Sequence, residues 1–249
     1  MDAIKSATRT CEVFEYFHEV QKPLRLKDFV DRFGYPPSSA SALLKSLVVL
    51  GFLEYDLNQR SYFPTMRMGS IVGWIDRARF GNGAVLAAMR KLHDATQETI
   101  SLGLQSDLHA QYVYQIATRL ELPYPRTRQT IRPLAGSGLG WLLFSAMPDD
   151  TVRHLVKRIN HASRASTERV DVERLFERIR EIRRTGHVFS KHTVVQGAGM
   201  LGMLIQSPRS GRQLALSVHA PVERLEAKQK LILRTLSEVC RAASALDAG

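Results

Sequence analysis

Two consecutive prolines precede a cluster of small polar side chains near the N-terminus. Proline can begin a helix but cannot lie inside one, so a helix is predicted to start at residues 36–37. Its first turns would carry Ser38, Ser39 and Ser41, and Lys45 would follow one to two turns later. A serine hydroxyl can bond a phosphate oxygen or a base edge, and both a lysine and a helix N-terminus favour phosphate. The chemistry of this segment is that of a nucleic-acid contact.

Apolar residues recur along the same segment with helical spacing. A helix that runs to about Leu50 and stops at Gly51 would bury one stripe and expose the other. The predicted buried stripe is Ala40, Leu43, Leu44, Leu47 and Leu50. The predicted exposed stripe is Ser38, Ser39, Ser41, Ala42, Lys45 and Ser46. A helix that enters a DNA groove needs an apolar back and a front of small or polar side chains, and this division provides both.

The neighbouring segments predict the elements that would position this helix. Helical spacing predicts helices over 6–20 and 26–33, and Gly34 supplies a turn before the third helix. Two strand-like runs, 52–55 and 60–63, follow with turn residues between them. Helix, short helix, turn, helix and hairpin is the order of a winged helix-turn-helix, a DNA-binding unit.

Three further cations lie where such a unit meets the DNA backbone. Arg25 and Lys27 are at the start of the second helix, and Arg60 is at the wing. The predicted DNA-binding residues are Arg25, Lys27, Ser38, Ser39, Ser41, Ala42, Lys45 and Arg60. Two alternatives remain open: the unit could serve protein contacts alone, and any one serine could be a helix cap or a solvent-facing residue.

The remainder of the chain alternates helices and strands. Residues 66–80 form an amphipathic helical stretch that ends at a Gly-Asn-Gly sequence, where we place a domain boundary. Later segments predict a mixed α+β domain with a largely antiparallel sheet, including a hairpin turned at 208–211 and a last helix from Glu223 to about Ala245. The predicted organisation is a winged helix-turn-helix domain over 1–65, a linker helix over 66–80 and a second domain over 81–249.

The positive charge is not concentrated in the predicted DNA-binding unit. The net charge is +11 over 249 residues, but residues 1–80 carry 11 lysines and arginines against 9 aspartates and glutamates, or +2. Residues 81–249 carry 24 against 15, or +9. The excess there could attract anions or flanking DNA, or could be a solvated basic face. A nucleoid or architectural protein, which needs a strongly basic DNA-binding surface, is disfavoured.

Several other protein classes are disfavoured by missing patterns. The sequence has no G-x-S-x-G, H-E-x-x-H or P-loop motif, so we expect no enzymatic activity and no cofactor. Two distant cysteines and a lack of ligand spacing around His187 and His192 predict no metal site. No apolar run is long enough for a membrane span and the N-terminus lacks a signal-peptide core, so we expect a cytoplasmic protein without a membrane partner.

The N-terminal motifs resemble those of the IclR family of bacterial transcription regulators. The matching stretches are Pro23–Leu24, Gly34–Ala40, Leu43–Leu47, Gly51–Asp56, Arg60–Tyr62 and, at the start of a linker helix, Met66–Gly69. Arg132–Leu134, Leu139–Gly140 and Ala215–Pro221 resemble later parts of the family more loosely. The resemblance implies operator binding as a dimer or tetramer and a GAF-like C-terminal domain that senses small organic acids, often aromatic. It covers nearly the whole chain and is specific in the first 70 residues.

The sequence also departs from the family pattern. The family commonly has a basic residue at the position of Pro37 and an arginine at that of Ala42, which leaves Lys45 as the cation of the third helix. We therefore expect a shallow salt dependence from this helix. In the C-terminal domain, Lys191 and His192 stand near a position that is acidic in some members, and His219 replaces a possible second pocket serine.

These departures predict a basic, apolar effector pocket suited to an aromatic or branched carboxylate. Ser137, Ser217, His192 and His219 are the candidate donors, and Leu102, Trp141 and Met203 are the candidate walls. The alternatives are a core or dimer contact for Trp141, core packing for Met203 and ordinary strand positions for the two histidines. The full predicted set is Leu102, Ala135, Gly136, Ser137, Gly138, Trp141, Lys191, His192, Met203, Ser217 and His219. The predicted function is a sequence-specific transcriptional regulator modulated by a small organic acid. The alternatives are a ligand-independent regulator and an enzyme acting on such an acid.

Overall fold

A computed structural model describes residues 4–80, 83–120, 131–162, 169–206 and 213–246. The chain divides into two compact units, Met1–Ala78 and Arg79–Gly249. The predicted hairpin turn at 208–211 and the first two residues of the predicted boundary, 81–82, lie outside the described residues. No helix in the described ranges is long and apolar enough to cross a membrane.

The first unit is a three-helix bundle with a small antiparallel sheet. Its helices are α1 (Lys5–Val20), α2 (Leu26–Phe33) and α3 (Pro37–Val49), followed by α4 (Arg67–Phe80). Its strands are β1 (Leu24–Arg25), β2 (Leu53–Asp56) and β3 (Ser61–Pro64), in the spatial order β1-β3-β2. The winged helix-turn-helix order is thereby confirmed, with β1 as an additional strand that was not predicted.

Aromatic and aliphatic side chains from all three helices hold the first unit together. Phe17 of α1 and Phe29 of α2 meet edge to face with ring centroids 5.5 Å apart, and Leu44 of α3 packs in the same buried cluster. Gly34 has a φ of +64° and ends α2, because a left-handed residue is needed for the turn into α3. One predicted core residue is wrong: Leu50 is 55% exposed, because α3 ends at Val49 before that side chain turns inward.

The second unit is a six-stranded antiparallel sheet with helices on both faces. Its helices are α5 (Ala84–Thr96), α6 (Gly138–Ser145), α7 (Asp149–Ala162), α8 (Val172–Thr185), α9 (Val222–Ala227) and α10 (Gln229–Leu246). Its strands are β4 (Thr99–Ser106), β5 (His109–Ile116), β6 (Ile131–Pro133), β7 (Val188–Lys191), β8 (Ala198–Gln206) and β9 (Gln213–Pro221), in the order β6-β5-β4-β9-β8-β7. The predicted α+β class with an antiparallel sheet is confirmed.

Side-chain alternation gives this sheet two different cores. On one side, which we call the α10 face, Ile100 of β4 and Leu216 of β9 pack in one cluster with Leu236 of α10. On the other side, the α6 face, Ala215 of β9 packs in a second cluster with Leu142 of α6. Successive residues of a strand point to opposite faces, so neighbours in sequence enter different cores.

Close packing at the start of α6 fixes that helix against the sheet. A Cβ added to Gly140 would lie 1.7 Å from the carbonyl oxygen of Leu134, so any other residue would displace the backbone. Gly103 of β4 likewise leaves room for the Leu139 side chain, which would be 2.6 Å from an added Cβ. Gly103 thus lets α6 approach the sheet closely, and Gly140 lets the helix lie against the segment that follows β6.

The predicted single C-terminal helix is two helices. Lys228 separates α9 from α10, and its Nζ donates to the carbonyl oxygen of Thr96 at 2.9 Å and to the carboxylate of Glu98 at 2.8 Å. Arg224 donates to the same carboxylate at 2.9 Å. The Glu98 side chain is fully buried, so this ion-pair cluster ties the loop before β4 to the break between the helices.

We predict that Glu98→Ala destabilises the second unit by about 2 kcal/mol. The change leaves two cations without their shared carboxylate, and the cost stays below that of a fully buried pair because both cations are about a third exposed. Urea unfolding followed by far-ultraviolet circular dichroism measures the difference. Glu238→Ala, which removes the partner of Lys91 in an exposed pair, is the control and should cost less than about 1 kcal/mol. Equal effects of the two variants would contradict the structural role of Glu98.

Candidate functional site

Helix α3 presents a polar surface on the first unit. Ala40, Leu44 and Leu47 are buried against the other helices, whereas Ser38 and Lys45 are exposed on the opposite side. Ala42 and Ser46 are exposed as well, and Ser39 and Ser41 are half-buried. The predicted exposed stripe is thus available on one side of the helix.

The N-terminus of α3 leaves two backbone donors available. Pro36 is the N-cap residue and no side chain in the described part of the chain caps the helix. Proline has no N–H and the Ala40 N–H donates to the Pro36 carbonyl oxygen at 3.0 Å, so the free amides of the first turn are those of Ser38 and Ser39. Two adjacent amides at the positive end of a helix can bind a phosphate oxygen.

The wing brings further cations to the same unit. The Asp56 carboxylate accepts the N–H groups of Asn58 and Gln59 at 2.7 and 3.0 Å, which closes the turn between β2 and β3. Arg60 follows that turn with a φ of +52° and an exposed side chain. Arg25 pairs with Ser61 across β1 and β3, so the small sheet brings its exposed side chain next to the strand that follows Arg60.

Lys27 is exposed in the first turn of α2. The predicted DNA-binding residues therefore all lie at or near the surface of one unit, on α3, the start of α2 and the wing. Sequence reasoning missed the strand β1, since two residues are too few to show an alternating pattern.

The predicted effector residues do not meet in one place. Gly138, Ser217 and His219 are on the α6 face, next to Ser137 at the start of α6. Ala135, Gly136 and Trp141 line a cleft on the far side of that helix. The other four residues, Leu102, Lys191, His192 and Met203, are in neither place.

The prediction that Leu102 and Met203 line the effector pocket is corrected by the alternation of side chains between the two faces of the sheet. Leu102 is fully buried in the α10-face core and Met203 packs against the same core, so neither side chain can meet Ser217 on the opposite side of the sheet. Their strands do contribute to the α6 face, but through other residues. The sequence signal that could have shown this is the period of two along β4, where Ser101 and Gly103 alternate with leucine and isoleucine.

Lys191 and His192 are held by other contacts. The Lys191 Nζ donates to the Glu226 carboxylate at 2.7 Å and lies 4.4 Å from the centroid of the Phe189 ring, which directs it toward α9. His192 is exposed with a φ of +55°, and its Nδ1 accepts the Gly197 N–H at 3.1 Å, which closes the loop before β8. Both residues have local structural partners and are separate from Ser217.

A row of polar groups crosses the α6 face, in which Ser101, Ser190 and Ser217 are buried, His219 is half-buried and Gln115 is exposed. The Gln115 amide donates to the Ser101 hydroxyl at 2.8 Å, and the Ser217 hydroxyl donates to the Ser101 carbonyl oxygen at 3.2 Å. The Ser217 Oγ also lies 2.9 Å from Nε2 of His219. Ser190 on β7 extends the polar surface and would be 2.5 Å from a Cβ added to Gly138. We call Gln115, Ser101, Ser217, His219 and Ser190 the polar row.

Ser137 has a capping role at the start of α6. Its hydroxyl accepts the Gly140 N–H at 3.2 Å and donates to the Pro133 carbonyl oxygen at 2.8 Å. An N-cap serine stabilises a helix in this way. Ser137 therefore positions the glycine-rich start of the helix beside the polar row.

His219 is neutral at pH 7. Burial lowers the pKa of its imidazole to about 4, and the nearby positive charge of Arg132 acts in the same direction. The Tyr112 ring meets it edge to face at 5.2 Å, and burial raises the pKa of Tyr112 to about 12. A neutral imidazole beside a serine hydroxyl can both donate and accept hydrogen bonds.

The cleft beyond α6 is large and carries several arginines. It encloses about 1150 Å³ between β6, the start of α6, α7 and α8, and we call it the arginine cleft. The Trp141 Nε1 donates to the Ala135 carbonyl oxygen at 2.7 Å, which fixes the ring in the cleft wall. The Arg178 guanidinium lies 4.0 Å from the centroid of that ring. In the described ranges, no group of three histidine, cysteine, aspartate or glutamate side chains could hold a metal ion.

Each of the two units matches the model of a known protein family. The family model described as "Bacterial transcriptional regulator IclR C-terminal" matches residues 83–248, and the IclR helix-turn-helix domain matches residues 6–57. The chain is a member of the IclR family. It is therefore an IclR-type transcriptional regulator with a DNA-binding helix-turn-helix and a C-terminal effector domain. The family consists of transcriptional regulators, which confirms the prediction that the chain is not an enzyme.

Individual IclR relatives are distant in sequence. The HTH-type transcriptional regulator XynR of Escherichia coli (strain K12) is 20% identical over 231 residues, which cover 91% of this chain and 90% of XynR. The IclR structure from Thermotoga maritima has a TM-score of 0.65 at 14% identity, covering 97% of this chain and 100% of that one. The IclR effector domain from Acinetobacter sp. ADP1 has a TM-score of 0.60 at 24% identity, covering 67% of this chain and 97% of that one. These structures share the fold of this IclR-family chain.

We predict that His219 makes the effector domain less stable in acid. The unfolded chain binds a proton at this histidine near pH 6.5 and the folded chain near pH 4, so stability is lost as the pH falls between those values. The loss from this group should reach at most about 3 kcal/mol. Thermal unfolding from pH 7 to pH 4 should show a smaller fall for His219→Gln than for the wild type. His192→Gln, at an exposed histidine, is the control and should follow the wild type. Parallel curves for all three proteins would contradict the neutral state of His219.

Proposed function

We propose that this regulator binds a specific operator through α3 and that a small organic acid in the C-terminal unit modulates the binding. The observation that carries the proposal is the division of α3 into a buried apolar side and an exposed side with free N-terminal amides, serines and one lysine. Such a helix can approach the base edges of the major groove closely. We propose domains at 1–65 and 81–249 with a linker helix at 66–80.

Individual contacts are assigned by their chemistry. Ser39 and Ser41, half-buried near the start of α3, are proposed to contact base edges, with Ala42 allowing close approach. Lys45, Lys27, Arg25 and Arg60 are exposed cations and are proposed to contact phosphates. Ser38 contributes its backbone amide to a phosphate.

The effector is proposed to bind at the polar row. Buried serines and a neutral histidine are unusual on an otherwise apolar sheet face, and they lie beside the glycine-rich start of α6. Hydroxyl, amide and imidazole groups can hydrogen-bond a carboxylate, and Tyr112 and Met200 supply apolar surface. An aromatic or branched carboxylate suits this combination.

Self-association is proposed as part of the mechanism. Ile71, Val72 and Trp74 are 46%, 41% and 60% exposed on α4, which is apolar surface available to a second copy. A dimer or tetramer would bring two α3 helices to inverted half-sites, and the effector would favour one spacing of those helices. Such a regulator works in the cytoplasm, where the operator DNA is.

A mobility-shift titration on the gene's own upstream region tests this function. We expect a complex that survives excess random duplex, and a shift of its midpoint when benzoate, 4-hydroxybenzoate, pyruvate or a branched-chain keto acid is added. A complex unchanged by every acid would support a ligand-independent regulator instead. Equal affinity for the upstream region and for random duplex would contradict operator recognition.

We predict different consequences for two substitutions on α3. Lys45→Ala removes one phosphate contact, so it should weaken binding to all duplexes by a similar factor and lower the salt slope by about 1. Ser41→Ala should instead change the preference between operator variants, with the salt slope unchanged. Fluorescence anisotropy over a salt series on the operator and on single-base variants measures both effects. Ser6→Ala, at an exposed position of α1, is the control. Identical behaviour of the two α3 variants would contradict the division between positioning and recognition contacts.

A further inference from the structure

Among its described lining residues, the arginine cleft has more positively than negatively charged side chains. Its described lining includes Arg132, Arg169, Arg174 and Arg178 against a single carboxylate, that of Asp171. That carboxylate caps α8 by accepting the Arg174 N–H at 3.1 Å. No salt bridge to Arg169, Arg174 or Arg178 occurs within the described ranges, where several other arginines have carboxylate partners.

Arg174 and Arg178 are neighbours on α8 and their charges repel. They are four residues apart, so they lie one helical turn from each other on the same side. Burial lowers the pKa of Arg178, the charge of Arg174 lowers it further, and Glu181 on the same helix partly offsets both effects. Two like charges held together in a concave wall attract an anion.

The Arg178 guanidinium lies over the Trp141 ring, 4.0 Å from its centroid. That ring is itself fixed by the hydrogen bond from Nε1 to the Ala135 carbonyl oxygen. A guanidinium is planar, and its fork of N–H groups matches two oxygens of a phosphate or carboxylate. The contact with Trp141 thus restricts where this donor can lie in the cleft wall.

Most of the remaining lining is apolar. Leu108, Ile131, Pro133, Leu134, Ile159, Val170 and Leu175 line the cleft. The volume of about 1150 Å³ is slightly above the usual range for small-molecule sites, which ends at about 1,000 Å³. The cleft is larger than a small monocarboxylate, and it has more cations than a single carboxylate would neutralise.

We propose that the arginine cleft binds an organic dianion, a phosphate-type headgroup on an apolar body, with Arg178 and Arg174 holding the headgroup. The site shares no residue with the polar row and goes beyond the proposed function, since it adds a second ligand of a different charge class. Arg132 lies between the two proposed sites. It lines the arginine cleft, and its guanidinium is 5.7 Å from the centroid of the Tyr112 ring, which contacts His219 of the polar row.

Isothermal titration calorimetry on the full chain without DNA tests the proposal, with 1-naphthyl phosphate as the probe. We expect saturable binding with one site per chain, and much weaker binding of 1-naphthol and of inorganic phosphate, because each lacks one half of the probe. Arg178→Ala should weaken binding of the probe at least about tenfold. Arg178→Lys keeps the charge but loses the planar fork and should recover only part of that loss.

Matched variants separate this site from the rest of the protein. Arg180→Ala, an exposed change on the same helix, should leave the affinity within about twofold, as should His219→Gln in the polar row. Arg174→Ala, also exposed, provides a second loss of binding if Arg178→Ala does not fold.

Four results would overturn the proposal. The first three are equal affinity of the wild type and both arginine variants, equal affinity for naphthol and naphthyl phosphate, and no binding of the probe below about 1 mM. Tight binding of inorganic phosphate alone would reduce the site to a simple anion site and also overturn it. Because no DNA is present, each of these outcomes leaves the operator experiment free to succeed or fail independently.

Discussion

The two-sided burial of the six-stranded sheet is the constraint on which the effector domain depends. Both faces are covered by helices, so successive buried residues of β4, β8 and β9 enter opposite cores. Ser101 and Leu102 are adjacent in sequence, yet one joins the polar row and the other packs beneath α10. The sheet thereby separates a polar, hydrogen-bonded surface at α6 from a purely apolar core at α10. The glycines that let α6 approach the sheet set the depth of the first surface.

The DNA-binding unit depends on an analogous division, made on a helix instead of a strand. The apolar stripe of α3 packs against the buried cluster of α1 and α2, so its serines, Ala42 and Lys45 lie on the outer side of the helix. Family membership establishes a DNA-binding helix-turn-helix, and the structure adds that free amides at the start of α3 accompany its few cations. A net charge of +2 over the first 80 residues is compatible with this arrangement, because amides and hydroxyls contact phosphate without formal charge.

Local patterns predicted the fold and the DNA-binding unit well, for a physical reason. The spacing of Leu44 and Leu47, the prolines before α3 and the glycine after α2 act over a few residues, and each specifies an element boundary directly. The effector region was predicted less well because its residues meet through long-range packing. The alternation along β4 separates Leu102 from Ser101, but it does not say which of the two sides α6 covers. The contact of Arg178 with Trp141 joins residues of α8 and α6 that are far apart in the chain, so it could be found only in the folded structure.

Selection of binding sites from a random pool of duplex DNA tests the central claim most directly, since it assumes no operator. The full chain is incubated with a randomised duplex library, and the retained DNA is sequenced over successive rounds. Recognition by α3 predicts that one sequence becomes enriched, with inverted half-sites if two copies bind together. It also predicts that the enriched duplex binds on the order of a thousandfold more tightly than the starting pool. A retained pool with no enriched sequence, bound as weakly as the starting library, would contradict the account.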